Sequence, residues 1–159
     1  MDGGDKPRAA DGPALRLRLT DAPPEAARVT LAAGIVAFNA PRVGLPRGRP
    51  LAVLLEDSDG TVAGGLLGRT SYEWLYIELL FVPEAARGCG TGAELVRRAL
   101  AEARGRGAVG AWVDTFGART AAFYQRLGFT VFGTLEDHPP GNTRYFLKQR
   151  LDGAAQLAP

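Results

Sequence analysis

Val82-Pro83-Glu84-Ala85-Ala86-Arg87-Gly88-Cys89-Gly90-Thr91-Gly92 is the stretch around which this chain is organised. The apolar run from Trp74 to Val82 before it reads as a strand, and Glu94 to Arg104 after it reads as a helix. Between them, glycines at alternating positions (Gly88, Gly90, Gly92) let the backbone turn tightly with no Cβ in the way. Amides at the start of such a helix lack intrahelical partners, and the helix dipole favours an anion there. Strand, glycine turn and helix N-terminus together predict a phosphate cradle.

Around this stretch the pattern is that of a mixed α/β sheet. Leu15, Leu17 and Leu19 alternate with Arg16 and Arg18, the period of a half-buried strand. Thr20 or Asp21 caps an expected helix to Asn39, with Pro23 and Pro24 in its first turn and Pro41 closing it. Leu31, Ile35 and Phe38 are its expected buried stripe. Leu51–Leu55 and Thr61–Leu67 read as strands joined by the turn Asp57-Ser58-Asp59-Gly60. Gly64 and Gly65 predict a bulge or a close approach in the second strand. A Thr70-Ser71 turn leads into Trp74–Val82.

The helix after the glycines carries Leu95, Ala99, Leu100 and Ala103 on one face and ends at Gly105 and Gly107. Ala108–Val113 is a short strand, and a helical crossover makes it parallel to Trp74–Val82. A helix over Arg119–Leu127 and a hairpin of Phe129–Leu135 with Thr143–Leu151 complete the order. One domain over residues 14–151 is expected, with tails at 1–13 and 152–159.

Composition narrows the function. The chain has 159 residues and a net charge of +2, with its arginines scattered rather than clustered, so a nucleic-acid partner is not expected. No apolar run reaches the ~20 residues of a membrane helix, and residues 1–13 lack the apolar core of a secretory signal. A cytoplasmic location is the default expectation. A single cysteine and a single histidine exclude an internal disulfide and argue against a zinc site. Nucleotide folds fit poorly. No Lys-Ser/Thr follows Gly92, and the glycine spacing and the preceding meander both differ from a dinucleotide fold.

Arg87-x-x-Gly90-x-Gly92, preceded by Leu80-x-Val82, resembles the acetyl-CoA pyrophosphate loop of the GNAT (Gcn5-related) N-acetyltransferases. Phe123-Tyr124-Gln125-Arg126-Leu127-Gly128-Phe129 is similar to a second segment of that superfamily, and the element order agrees over residues 14–151. The resemblance implies the GNAT fold: a mixed, mostly antiparallel sheet with a central splayed parallel pair and flanking helices. It implies an acetyl-CoA-dependent N-acetyltransferase, by direct transfer in a ternary complex. The stretch from Gly133 to Lys148 resembles small bacterial members, which implies a small-molecule amine acceptor, an antibiotic among the candidates. A protein N-terminal or lysine acetyltransferase and a non-catalytic acyl-CoA-binding module are the alternatives.

Carried onto this chain, the pattern has the amides of Arg87, Gly88, Cys89, Gly90, Thr91 and Gly92 hold the pyrophosphate, and the backbone at Phe81 and Val82 pair with the pantetheine arm. Tyr124 matches the general acid toward the CoA sulfur; a phenol is protonated at neutral pH and can also hydrogen-bond that sulfur. Cys89 lacks a histidine partner in the motif and reads as an ordinary small residue.

For the base there are several candidates. Glu78 shares strand parity with Leu80 and Val82, and Asp114 follows Val113 at the end of the next strand. A charge in a half-buried strand needs a reason, either a base or a salt bridge to an arginine. His138 titrates nearest neutrality but lies in a Pro-rich hairpin loop. Glu73, Glu78, Asp114, Glu136 and Asp137 are expected to gather around the splay and attract a cationic amine. Trp74 and Trp112 are expected in the core. The C-terminal strands offer edges at which two copies could pair.

Overall fold

A computed structural model describes residues 15–153. The expected tail at 1–13 lies outside the described residues, as does most of that at 152–159. The chain divides into two compact units, one ending at Gly44 and the other beginning at Leu45.

In the first unit, helix α1 spans Glu25–Val43. Pro24 occupies its N-cap, so the two prolines precede the helix and its start falls later than Asp21. Pro41 does not stop it. A proline this near the C-terminus removes only one ladder bond, and Arg42 turns back to donate from Nη1 to the Phe38 carbonyl at 2.9 Å. The stop comes at Gly44, at φ 77°, whose amide donates to Ala40 O. The expected buried stripe is not buried: Leu31, Ile35 and Phe38 are 67, 61 and 67% exposed. Apolar period belongs to the helix alone, whereas burial requires a covering surface. Residues 15–19 form no strand, for alternation supplies no ladder partner; Leu15, Leu17 and Leu19 are fully exposed.

The second unit is a six-stranded sheet. Its strands are β1 (Arg49–Glu56), β2 (Val62–Ser71), β3 (Trp74–Phe81), β4 (Gly110–Phe116), β5 (Thr130–Leu135) and β6 (Arg144–Arg150). The order across the sheet is β1-β2-β3-β4-β6-β5; β3 and β4 pair in parallel, and the other neighbours pair antiparallel. Asp57 builds the β1–β2 turn, its Oδ1 accepting from the amides of Asp59 (3.0 Å) and Thr61 (2.8 Å). The β2–β3 turn falls at Tyr72-Glu73, both at positive φ, two residues beyond the expected Thr70-Ser71. Gly64 and Gly65 mark close approaches: a Cβ on Gly65 would meet Val53 O at 2.5 Å.

Helices α2 (Thr91–Gly105) and α3 (Ala118–Arg126) cover one sheet face. Leu95, Val96, Ala99, Leu100 and Ala103 of α2 pack with Leu51, Leu66, Leu75 and Ile77 of β1 to β3. Ala121 and Tyr124 of α3 join Ala111, Val113 and Leu147 in the same core. Because side chains alternate along a strand, Trp74 and Tyr76 of β3 and Trp112 of β4 point to the opposite face. Trp112 stacks on Tyr76 at 3.9 Å, and Trp74 stands over Gly110, so neither tryptophan belongs to the helix-covered core. Among the described residues, no helix is long and apolar enough to cross a membrane.

Candidate active site

The parallel pair separates partway along. Register between β3 and β4 runs from Trp74↔Gly110 to Ile77↔Val113 and stops there. Beyond that point β3 keeps pairing with β2 to Phe81↔Gly65, and β4 keeps pairing with β6 to Phe116↔Arg144. Both strands continue while their shared ladder ends, which opens a splay. Along it the β4-facing backbone of Leu79 to Phe81 has no strand partner among the described residues.

A bulge sits at the mouth of the splay. Leu67 pairs with Leu79 and Gly68 with Ile77, so Glu78 is the extra residue. Past the bulge, Leu80 packs on the core with Leu75 and Ile77, and the simple parity that put Glu78 with Leu80 and Val82 is broken. Glu78 instead ion-pairs with Arg69, whose guanidinium lies over the Tyr76 ring at 5.2 Å on the face away from α2 and α3.

Asp114 does not follow the end of its strand; β4 runs on to Phe116, held by β6. Its side chain is 11% exposed, and both oxygens are engaged. Oδ1 accepts from the Tyr76 hydroxyl at 3.1 Å, and Oδ2 accepts from Arg144 Nε at 2.7 Å and from Nη2 of the same guanidinium. Arg144 Nη1 also lies 3.2 Å from His138 Nε2. Tyr76 and Arg144 are the partners of Asp114, and the sequence reading named neither. Nothing in the local pattern of β6 marks Arg144; only the Phe116↔Arg144 and Asp114↔Phe146 register brings it to Asp114.

Of the acidic set, Glu73 stands apart. It sits in the β2–β3 turn, its carbonyl accepting from Val109 at 2.7 Å, at the closed end of the paired segment. Glu136 and Asp137 are engaged in the β5–β6 loop, with the Thr134 hydroxyl and the Gly141 amide respectively.

Tyr124 is 3% exposed and lies on the helical side of the sheet, edge-on to Phe123 and Phe129. Burial, with the Asp114 charge adding to it, pushes its phenol up to about 12. Such a phenol is a firm hydrogen-bond donor at neutral pH. Complete transfer of its proton to a thiolate is uphill, since a cysteine-like thiol has a pKa of about 8.5. Tyr124 can therefore stabilise a leaving thiolate by hydrogen bonding better than by giving up its proton.

The glycine loop fits an anionic group. Gly88 (φ 79°) and Gly90 (φ 88°) adopt the left-handed region, and a Cβ on either would meet no atom within 4 Å. The loop is held open from within. A 3₁₀ turn over Glu84–Ala86 leads to Arg87, whose Nε donates to Val82 O at 2.9 Å. Glu94 N is bonded to Gly90 O at 3.0 Å, so the amides of Thr91, Gly92 and Ala93 precede the helical ladder. Cys89 Sγ lies 3.3 Å from Ala86 O and 3.2 Å from Thr91 Oγ1, and the Thr91 contacts lower its thiol pKa. An open groove of about 570 Å³ flanks the loop towards β1, between Val53–Leu55 and the first turns of α2, and not at the splay.

The sequence model of the Acetyltransferase (GNAT) family matches residues 22–129. An acetyltransferase of Agrobacterium fabrum is 41% identical over 117 residues, 74% of this chain and 85% of that protein. The blasticidin-S acetyltransferase of Streptomyces morookaense is 41% identical over 93 residues, 58% of this chain and 68% of the relative. A crystal structure of a protein from Agrobacterium tumefaciens, described as an acetyltransferase, superposes with a TM-score of 0.80 at 38% identity. It covers 86% of this chain and 99% of its own.

Proposed function

The chain belongs to the GNAT family and is an acetyl-CoA-dependent N-acetyltransferase, and from that premise we propose that its acceptor is a primary amine of a small molecule, an antibiotic being one candidate. The observation that carries the small-molecule reading is the 41% identity to a blasticidin-S acetyltransferase.

The cofactor supplies an acetyl thioester whose carbonyl carbon a neutral amine attacks, with the CoA thiolate as leaving group. In this reading the amides from Gly88 to Gly92 hold the pyrophosphate, with Gly88 and Gly90 providing the left-handed turns; the expected Arg87 amide is taken by the Glu84 carbonyl at 3.1 Å. The free backbone edge near Phe81 and Val82 receives the pantetheine as an added strand. Tyr124, on the helical side of the sheet, donates its hydroxyl hydrogen bond toward the sulfur. Glu78 and Asp114 lie on the other side, where the acceptor approaches, each held by an arginine.

The experiment is turnover on a panel of amines and peptides with acetyl-CoA, followed by free-thiol release. Acetylation of a small amine is the expected result. Turnover on peptides alone would overturn the small-molecule reading, and acetyl-CoA binding without turnover would make the protein a binding module.

A further inference from the structure

Each carboxylate at the splay mouth is already paired with an arginine, Glu78 with Arg69 and Asp114 with Arg144. His138, the remaining candidate base, has its Nε2 3.2 Å from Arg144 Nη1. The Asp114 side chain is also nearly buried. Its Oδ1 is met by the Tyr76 hydroxyl at 3.1 Å, on a ring only partly buried. That ring is stacked on Trp112 with 9° between the planes and carries Arg69 over it at 5.2 Å.

We propose that Tyr76 and Asp114 act as one base, Tyr76 taking the acceptor's proton and passing its own to Asp114. The inference rests on the acetyl-transfer reading above. As the amine attacks, its N–H bond breaks and a bond from that proton to the phenolic oxygen forms. In the same movement the original Tyr76 O–H bond breaks and Asp114 Oδ1–H forms. Tyr76 is neutral before and after, and the positive charge leaving the acceptor cancels the charge on Asp114. Arg144 stays on Oδ2 and keeps Oδ1 aimed at the hydroxyl. The proton returns to water by the same hydroxyl after turnover. Tyr76 is thus the catalytic residue of the pair, Asp114 its proton store and Arg144 a positioning residue.

The test compares the unsubstituted protein with Tyr76→Phe, Asp114→Asn and the double variant, on whichever amine the panel identifies. Each single change is expected to lower kcat at least about tenfold while leaving KM for acetyl-CoA unchanged. The double variant should be no slower than the worse single, because the residues act as a unit. A second readout needs no turnover: tyrosinate absorbance during alkaline titration, with Tyr76→Phe as the reference. Burial and the Asp114 bond raise the Tyr76 phenol, so Asp114→Asn should lower the pH at which it ionises. Undiminished kcat in a folded Tyr76→Phe, a loss confined to KM, multiplicative losses in the double variant, or an unmoved titration would each overturn the relay. An unsubstituted protein inert on every amine overturns the functional reading and the relay together, whereas an active protein indifferent to Tyr76→Phe overturns only the relay.

Discussion

Glu78 and Asp114 stand at matching places on two parallel strands: each is the first residue after the last pair, Ile77↔Val113, through which β3 and β4 are joined. The match is one of position and not of environment. Glu78 is a bulge residue, 31% exposed at its side chain, whereas Asp114 lies in an uninterrupted strand and is bracketed from both sides. The carboxylate on β4 is therefore the one whose surroundings are built, and its partners set most of the expectations below.

Arg144→Met should destabilise the fold by about 3 kcal/mol, because it leaves the nearly buried Asp114 carboxylate without its countercharge. Adding Asp114→Asn to that variant should recover part of the loss. Urea denaturation of the two variants checks this, and a double variant weaker than Arg144→Met would contradict it.

The glycines of the loop should separate in their effects. Gly90→Ala forces a Cβ into the left-handed region and should cost about 1–2 kcal/mol in stability. If that strain is relieved by moving the loop, acetyl-CoA affinity should fall about tenfold. Gly92 has no such φ, and a Cβ there meets Phe123 at an ordinary 3.5 Å, so Gly92→Ala should leave stability almost unchanged. Denaturation and calorimetric titration with acetyl-CoA measure both.

Tyr124→Phe should lower turnover about ten- to a hundredfold, the worth of a hydrogen bond to a charged group, with cofactor affinity nearly intact. Parallel loss of both would make Tyr124 a packing residue. The same variant carries a pH signature. An unfolded phenol ionises near 10, and the buried one near about 12. The stability that the protonated Tyr124 contributes is fully present below pH 10 and is lost as pH rises from about 10 to about 12, amounting to roughly 2–3 kcal/mol. Thermal melts across that window should show a shallower alkaline decline for Tyr124→Phe than for the unsubstituted protein.

Arg87 anchors its loop through the Val82 carbonyl. Arg87→Ala should weaken acetyl-CoA binding by losing a pre-formed loop, with little change in the salt dependence of the affinity. A markedly reduced salt dependence would mean instead that the guanidinium meets phosphate directly, since such contacts are screened.

Much of the fold was legible in the sequence because it depends on local chemistry. The glycines at 88 and 90 carry the positive φ that their spacing suggested, Leu95, Ala99, Leu100 and Ala103 are the buried face of α2, and Gly107 follows that helix in the left-handed region. Where the reading went astray, a partner from elsewhere was needed. The alternation at Leu15 to Leu19 pairs with no strand among the described residues, and the stripe of Leu31, Ile35 and Phe38 is unburied.

The opening stretch shows the same division. Residues 82–92 by themselves determined a glycine turn into a helix start, because φ at a glycine and free amides at a helix start are properties of a few consecutive residues. Two matters were decided only by tertiary structure. One was the bulge at Glu78, which depends on how β3 is registered against β2 and which reverses the strand parity past it. The other was the set of groups around Asp114: Tyr76 lies 38 residues away in sequence and Arg144 lies 30. Pairing between distant strands brings those side chains together, and no periodicity along one strand records what stands on the next.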